Sequence, residues 1–181
     1  MHQNLGLRPR AFAGALFAAA SAVGLAAGCA AHPTPARGGS EKFVLRSNSW
    51  LGDPVYAARA SGVFSDSGTF PGIGNGRNES LARLSGGTFV LTHPATAEKT
   101  TRQQTDSRTC AVVIDQKGNF TLGRGTGAYK GITGYGTFTA DYRGVLPRRN
   151  GTCDTGPTVV PVKGTAHAVI IGTGELFLPP S

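Results

Sequence analysis

The segment from Gly123 to Gly136, GRGTGAYKGITGYG, begins with a pattern that could hold a nucleotide. Its first six residues fit the spacing G-x-G-x-x-A, which binds a pyrophosphate where it leads from a strand into the N-terminus of a helix. Here it leads into YKGITGYGTFT, whose threonine and aromatic residues favour a strand. We therefore interpret the segment as turns and bulges between strands, with Tyr129 and Ile132 packing beside the glycines.

Residues for nucleophilic or metal chemistry are sparse. The sequence contains neither G-x-S-x-G nor S-x-x-K, which mark serine nucleophiles, and neither H-x-H nor H-E-x-x-H. His93 and His167 could meet across a barrel beside Asp115, Asp141 or Glu175, but isolated histidines on strands seldom bind metal. The sequence predicts no catalytic residue, no metal site and no cofactor.

The N-terminus has the features of a bacterial lipoprotein signal. Arg8 and Arg10 precede an apolar run, AFAGALFAAASAVGLAA, which ends in LAAGC with Cys29 last. This order of charge, apolar core and small residues is typical of a secretory signal. The cysteine predicts cleavage after Gly28 and a diacylglycerol, with palmitate, on the thiol. An ordinary signal peptide with an incidental cysteine is the alternative.

The predicted organisation is a signal peptide over residues 1–28, a lipidated cysteine with a flexible tether over 29–42, and one domain over 43–181. The tether contains AAHPTPARGGSEK, which is rich in proline, glycine and small residues. Two acyl chains anchor a protein stably. We therefore expect the domain on the extracytoplasmic face of the cell membrane.

The charge balance is basic, with 18 lysines and arginines against 10 acidic residues. The basic residues are scattered, and only Arg148 and Arg149 are adjacent. Nucleic-acid binding usually requires a clustered basic stripe with aromatic platforms. We expect no nucleic-acid partner, and we interpret the charge as an attraction to anionic lipid or envelope polymer, or as a means of keeping the protein soluble.

The sequence contains three cysteines. If Cys29 carries the lipid, the other two remain as a pair, and the expected extracytoplasmic compartment is oxidising. Cys110 and Cys153 are therefore expected to form a disulfide. A closed loop of about 43 residues restricts the unfolded chain by roughly 4 kcal/mol in the entropic model. A metal pair or redox thiol would need a C-x-x-C or a nearby histidine, and neither is present.

Short alternating segments bounded by glycine dominate the chain after residue 42 and predict strands. They cover residues 43–50, 55–64, 80–84, 88–93, 109–115, 120–122, 136–146, 158–171 and 175–178. Phe89, Leu91 and His93 share one face of their strand, and residues 94–106 are polar and break the pattern. About eight strands with little helix predict an all-β antiparallel barrel, with a β-sandwich as the alternative. We favour the barrel because closure removes exposed edges.

Several segments resemble a group of secreted actinobacterial proteins. The resemblance rests on SGVFSDSGTF, on GGTFVLTH and on GNFTLGRGTGAYKGITGYGTFTADY, over roughly residues 60–142. The glycine–tyrosine element is similar to that of the allene oxide cyclase/dirigent-like barrel. The resemblance implies an eight-stranded calycin-like barrel, and plant members bind hydrophobic substrates and guide cyclisation or coupling. No residue here matches their functional positions, so no role is transferred.

Three functions stay open at this point. The first is a membrane-anchored lipoprotein whose non-catalytic barrel binds a small apolar ligand or an envelope component. The second is a cyclase- or isomerase-like enzyme that steers an apolar substrate, and the third is a purely structural surface protein. A barrel mouth can hold one apolar ligand. Residues able to line such a site, or else to fill the core, are Trp50, Phe89, Phe120, Phe138 and Tyr142.

Overall fold

A computed structural model describes residues 36–51, 54–72, 78–156 and 159–180 of the chain. These residues form strands with two short 3₁₀ helices, at Ala95–Ala97 and Gly127–Tyr129. The strands are β1 Arg37–Ser47, β2 Val55–Ser61, β3 Asp66–Pro71, β4 Glu79–Leu84, β5 Gly87–Thr92, β6 Lys99–Thr105, β7 Ala111–Gly123, β8 Thr133–Val145, β9 Arg148–Arg149, β10 Thr152–Cys153 and β11 His167–Leu178.

Eight of these strands close into an antiparallel ring in the order β1, β2, β3, β4, β5, β7, β8, β11. The ring closes where Val90 to Thr92 of β5 pair with Gly123 to Thr121 of β7. On the opposite side, β11 pairs along its length with both β1 and β8. The predicted antiparallel barrel is therefore confirmed, and the sandwich alternative is wrong.

Strand β6 lies outside the ring and pairs only with β7 among the described strands. Its sequence, KTTRQQT, is exposed at every position. The polar segment 94–106 was predicted to interrupt the strands because it lacks apolar alternation. A strand with both faces in water needs no such alternation. Its polar side chains also discourage its open edge from pairing with another chain.

The predicted tether is too long at its C-terminal end. Residues 37–42 belong to β1, and Glu41 is only 2% exposed, so the domain begins at least six residues before the predicted boundary at 43. Glycines and charged residues in RGGSEK suggested a linker, but the whole of β1 pairs with β11. Cys29 and the rest of the signal lie outside the described residues.

Strict alternation directs one face of each ring strand inward. In β2, Tyr56, Ala58 and Ala60 are buried while their neighbours are exposed. Small inward residues make room for phenylalanines from other strands, because a narrow barrel fills only when large and small side chains interdigitate. The ring of Phe43 lies 5.9 Å from that of Phe89 and 6.2 Å from that of Phe120. These rings fill the middle of the barrel.

One end of the barrel, here termed the closed end, is plugged by the connection between β7 and β8. The connection folds inward and buries Tyr129 and Ile132, as predicted from the glycine-rich sequence. The Tyr129 ring lies 4.7 Å from that of Phe64. Gly127 has φ +59°, which favours glycine, and it starts the 3₁₀ helix that carries Tyr129.

A carboxylate network holds this plug in place. Asp66 accepts hydrogen bonds from the hydroxyls of Tyr129 and Ser85 and from the backbone N–H of Gly86, the last at 2.9 Å. Burial raises the pKa of Asp66, but hydrogen bonds from Ser85, Tyr129 and backbone N–H groups outweigh it and hold the pKa below its usual range. The ionised carboxylate is thus the stable form.

Glu41 lies at the same end, against the connection between β2 and β3. Its Oε2 accepts a hydrogen bond from the N–H of Phe64 at 3.1 Å, while its Oε1 has no hydrogen-bond partner among the described residues. Burial raises the pKa of this carboxyl, and backbone N–H groups only partly oppose the rise. Glu41 thus holds the connection through one carboxylate oxygen, while the described part of the chain offers no partner to the other.

The predicted disulfide between Cys110 and Cys153 is confirmed and lies beyond the opposite end of the barrel, with an S–S distance of 2.06 Å. Cys110 packs with Val112 and Leu146 in a second, smaller apolar cluster. The bond joins the start of β7 to the β9–β10 hairpin.

Candidate ligand-binding site

A cavity of about 60 Å³ lies inside the barrel at the end opposite the Tyr129 plug, here termed the open end. Its wall is mostly apolar. Leu45, Leu91 and Ile170 line it together with six aromatic side chains, which are Phe43, Tyr56, Phe70, Phe120, Phe138 and Tyr142. The space is enough for a few water molecules and is far below the roughly 300 Å³ of a pocket for a drug-sized ligand.

A glycine leaves part of this space free. Gly172 of β11 lies on the inward face opposite Phe120, and an added Cβ would sit 3.2 Å from the Phe120 ring. That approach is tight, so any larger residue here would enter the cavity or displace the ring. The sequence therefore keeps the cavity open at this position.

Three polar side chains interrupt the apolar wall, namely Ser80, His93 and Glu98. Ser80 comes from the start of β4, and His93 follows β5. The backbone N–H of His93 donates to the carbonyl of Asn78 at 2.8 Å, which continues the β4–β5 pairing and turns the imidazole inward. Glu98 follows the 3₁₀ helix at Ala95–Ala97, and its side chain is 30% exposed.

His93 and Glu98 form a close pair. The Nδ1 of His93 lies 2.5 Å from Oε1 of Glu98, although the angle is outside hydrogen-bond geometry. The Nε2 of His93 and the Oγ of Ser80 have no hydrogen-bond partner among the described residues, and both residues are only 3% exposed. A buried polar atom without a partner costs about 1–3 kcal/mol. The open end thus keeps unsatisfied groups in an apolar wall.

Two tyrosines add hydroxyl groups to the same wall. Burial raises the pKa of Tyr56 to about 12. Burial also raises the pKa of Tyr142 above its usual range, and the charges of Tyr56 and Glu98 add to the rise. Both hydroxyls therefore stay neutral under physiological conditions. Among the lining residues, Glu98 is the only acidic one, and none is a lysine or arginine.

Three of the five aromatic residues proposed from the sequence, Phe120, Phe138 and Tyr142, line the cavity. The other two do not. Phe89 is fully buried in the core, with its ring 5.4 Å from that of Tyr129. Trp50 is half-buried beside the cavity lining, with its ring 5.8 Å from that of Tyr142, and its Nε1–H donates to the carbonyl of Arg143 at 3.2 Å.

Sequence reasoning missed the polar side chains of the site. The sequence places His93 on the same face as Phe89 and Leu91, which the structure shows to be the inward face, but it suggests no role for His93 except as a metal ligand. Ser80 began a predicted strand without a role, and Glu98 lay in the polar segment that was left without structure. The useful signal was polar residues at inward positions of apolar strands.

The histidines do not come together. His167 is exposed on the outside of β11, whereas His93 is buried. Within the described ranges, no group of three or more histidine, cysteine or acidic side chains could hold a metal ion. In the same part of the chain, no helix is long and apolar enough to cross a bilayer.

Comparisons with known protein families, with curated proteins and with solved structures find no match to this chain.

Proposed function

We propose that the protein is an extracytoplasmic lipoprotein whose barrel binds a small, mainly apolar ligand at its open end without transforming it. The observation that supports this most is the open-end cavity, where an apolar wall surrounds buried polar atoms that lack partners within the described part of the chain. Small-molecule sites combine these two features, since the wall supplies affinity and a few polar groups fix orientation.

The size of the cavity limits the ligand. About 60 Å³ admits only a short apolar group, so the rest of a larger ligand would project through the mouth beside Glu98. An anionic envelope polymer remains a second possible partner, because the net charge is basic. It would contact the outer surface rather than the cavity.

Ligand binding is tested by native mass spectrometry of the protein purified from its producing bacterium. We expect a co-purifying small molecule, and we expect Gly172→Ala to reduce its occupancy because the new Cβ enters the space beside Phe120. Thr173→Ala changes the next, exposed residue of β11 and serves as the control. Purified protein without any added mass would contradict binding and favour a purely structural role.

Anchoring rests on the LAAGC sequence and is tested separately. We expect Cys29→Ser to release the protein into the medium, since the acyl chains would be lost. Ser40→Ala is the control, because it changes an exposed side chain of the domain and leaves Cys29 intact, so it should stay membrane-bound. Unchanged membrane retention of Cys29→Ser would contradict the proposed lipidation and location.

The His93–Glu98 pair favours one rival, an isomerase- or cyclase-like enzyme. A histidine beside a carboxylate in an apolar site is a pairing used for general base catalysis. The resemblance to the allene oxide cyclase/dirigent-like barrel, which rests on the sequence alone, points the same way. If the protein is such an enzyme, the His93→Phe variant should co-purify with unconverted substrate, which is an isomer of the product and has the same mass. For a binder, the variant would hold the same compound in smaller amount.

A further inference from the structure

We propose that the open-end cavity selects a ligand with one neutral hydroxyl group, which bridges Nε2 of His93 and Oγ of Ser80. The inference rests on the proposed ligand-binding function and names the chemical group that the site recognises. Four observations support it, namely the tautomer of His93, the position of Ser80, the charges of the wall and the depth of the apolar part.

The position of Glu98 determines which nitrogen of His93 is free. A lone pair on Nδ1 would repel a carboxylate oxygen 2.5 Å away, so the proton of the neutral ring belongs on Nδ1. Nε2 then presents a lone pair and needs a donor. This atom is buried and has no partner among the described residues. A ligand O–H group supplies the donor that Nε2 requires.

Ser80 lies where it can hold the other side of the same hydroxyl. In the β4–β5 pairing, Ser80 faces Leu91, and His93 lies two residues further along. Such diagonal neighbours have Cβ atoms roughly 7 Å apart, and no direct hydrogen bond joins the two side chains. One oxygen between them would donate to Nε2 and accept from the serine O–H. A ligand hydroxyl satisfies both atoms at once.

The charges of the wall exclude an acidic ligand. No lysine or arginine lines the described cavity, and Glu98 places a carboxylate at its edge. A ligand carboxylate would therefore be buried beside a like charge without a counter-ion, which is costly. An ammonium group would attract Glu98 but would lose its hydration against aromatic side chains. A neutral alcohol or phenol avoids both penalties.

The apolar part of the ligand points toward the core. Phe43, Phe120 and Gly172 form the deep part of the cavity, whereas Glu98 reaches solvent. A hydroxyl at the level of His93 therefore leaves a short hydrocarbon group to enter between the phenylalanines. Because the space is small, four-carbon compounds are suitable probes.

The experiment uses butan-1-ol, 1-chlorobutane, butyrate and butylammonium as matched probes, with affinities from chemical-shift titrations of the mature domain. We expect butan-1-ol to bind about tenfold more tightly than 1-chlorobutane, because it adds two hydrogen bonds. Butyrate should bind more weakly than either. Ser80→Ala and His93→Phe should remove the advantage of the alcohol and leave the affinity for 1-chlorobutane unchanged.

Ser40→Ala, at an exposed position of β1, is the control and should keep the full preference. Equal affinities for the alcohol and the chloride, or tightest binding of butylammonium, would overturn the hydroxyl inference while ligand binding stands. Retention of the alcohol preference in both Ser80→Ala and His93→Phe would also overturn it. If none of the four probes binds, the proposed ligand-binding function itself fails.

Discussion

The two ends of the barrel differ in how their buried polar groups are hydrogen-bonded. At the closed end, Asp66 accepts hydrogen bonds from two hydroxyls and from backbone N–H groups, and Tyr129 is packed against phenylalanine. At the open end, Ser80 and the Nε2 of His93 lie in an apolar wall without partners among the described residues. Oε1 of Glu41 at the closed end also lacks a partner among the described residues, but Glu41 does not line the open-end cavity. The unsatisfied atoms of the open end do line a cavity, which indicates that the closed end serves stability and the open end serves recognition.

The largest expected effect of a substitution is at the closed-end plug. Tyr129→Ala should lower the free energy of unfolding by about 4 kcal/mol, because it removes a buried ring and leaves Asp66 without one of its donors. Tyr135→Ala, at a position 67% exposed on β8, should change it by less than about 0.5 kcal/mol. Urea denaturation measures both. Similar effects of the two variants would contradict the role of Tyr129 as a plug.

Loss of the disulfide should rank second and affect the open end. Cys110→Ala with Cys153→Ala should cost about 2–4 kcal/mol, since the unfolded chain regains the freedom of a long loop. Hydrogen exchange should rise first near the β9–β10 hairpin and the start of β7, while Tyr129 stays protected. Equal loss of protection at both ends would show that the ends are not independent.

The pH dependence of stability should separate the two carboxylates of the closed end. Burial raises the pKa of Glu41 above its ordinary 4.5, so the stability it contributes is full below pH 4.5 and is lost as the pH rises through the raised pKa. The lowered pKa of Asp66 gives the opposite pH dependence of stability. Its contribution is present above about pH 4 and is lost as the pH falls below that value.

Two variants isolate these contributions. At pH 8, Glu41→Gln should be more stable than the wild type by on the order of 1 kcal/mol, and its stability should change less between pH 4.5 and 8. Asp66→Asn should be destabilised, and its deficit should shrink as the pH falls below 4. Urea midpoints across this range measure both. Parallel pH profiles for Glu41→Gln and the wild type would contradict the burial of a titrating carboxyl.

The smallest expected effect is at the open end. Ser80→Ala should leave the free energy of unfolding unchanged or raise it by up to about 1 kcal/mol, because it removes a buried hydroxyl that has no partner among the described residues. Ser85→Ala, which removes a donor to Asp66 at the closed end, should lower it by about 1 kcal/mol. A clear loss of stability in Ser80→Ala would indicate a structural partner for that hydroxyl.

Alternation in the sequence predicted seven of the eight ring strands, although it divided both β7 and β11 into two segments. Phe89, Leu91 and His93 were assigned to one face because burial on one side of a strand repeats every second residue. Strand β3 was missed because DSGTFP has few apolar residues, and its Gly68 pairs too closely with β4 to allow a side chain. Residues 158–171 were predicted as a strand that Pro161 splits or places at an edge. Residues 159–166 form no strand, and β11 begins at His167.

The site was harder to predict than the fold. Cys110 and Cys153 could be paired by counting, whereas the contact of His93 with Glu98 depends on a 3₁₀ helix that brings a polar segment back over the barrel mouth. Such a contact leaves no periodic trace in the sequence. Likewise, the space beside Gly172 depends on how the Phe120 ring from another strand is oriented.

The most direct test of the account is to map the chemical-shift changes of butan-1-ol in the mature domain. We expect saturable changes at His93, Ser80 and Gly172, which line the open-end cavity, and none at Tyr129 or Asp66 of the closed end. Changes that do not saturate, or that are as large around Tyr129 as around His93, would contradict the division of the barrel into a stabilising end and a ligand-binding end.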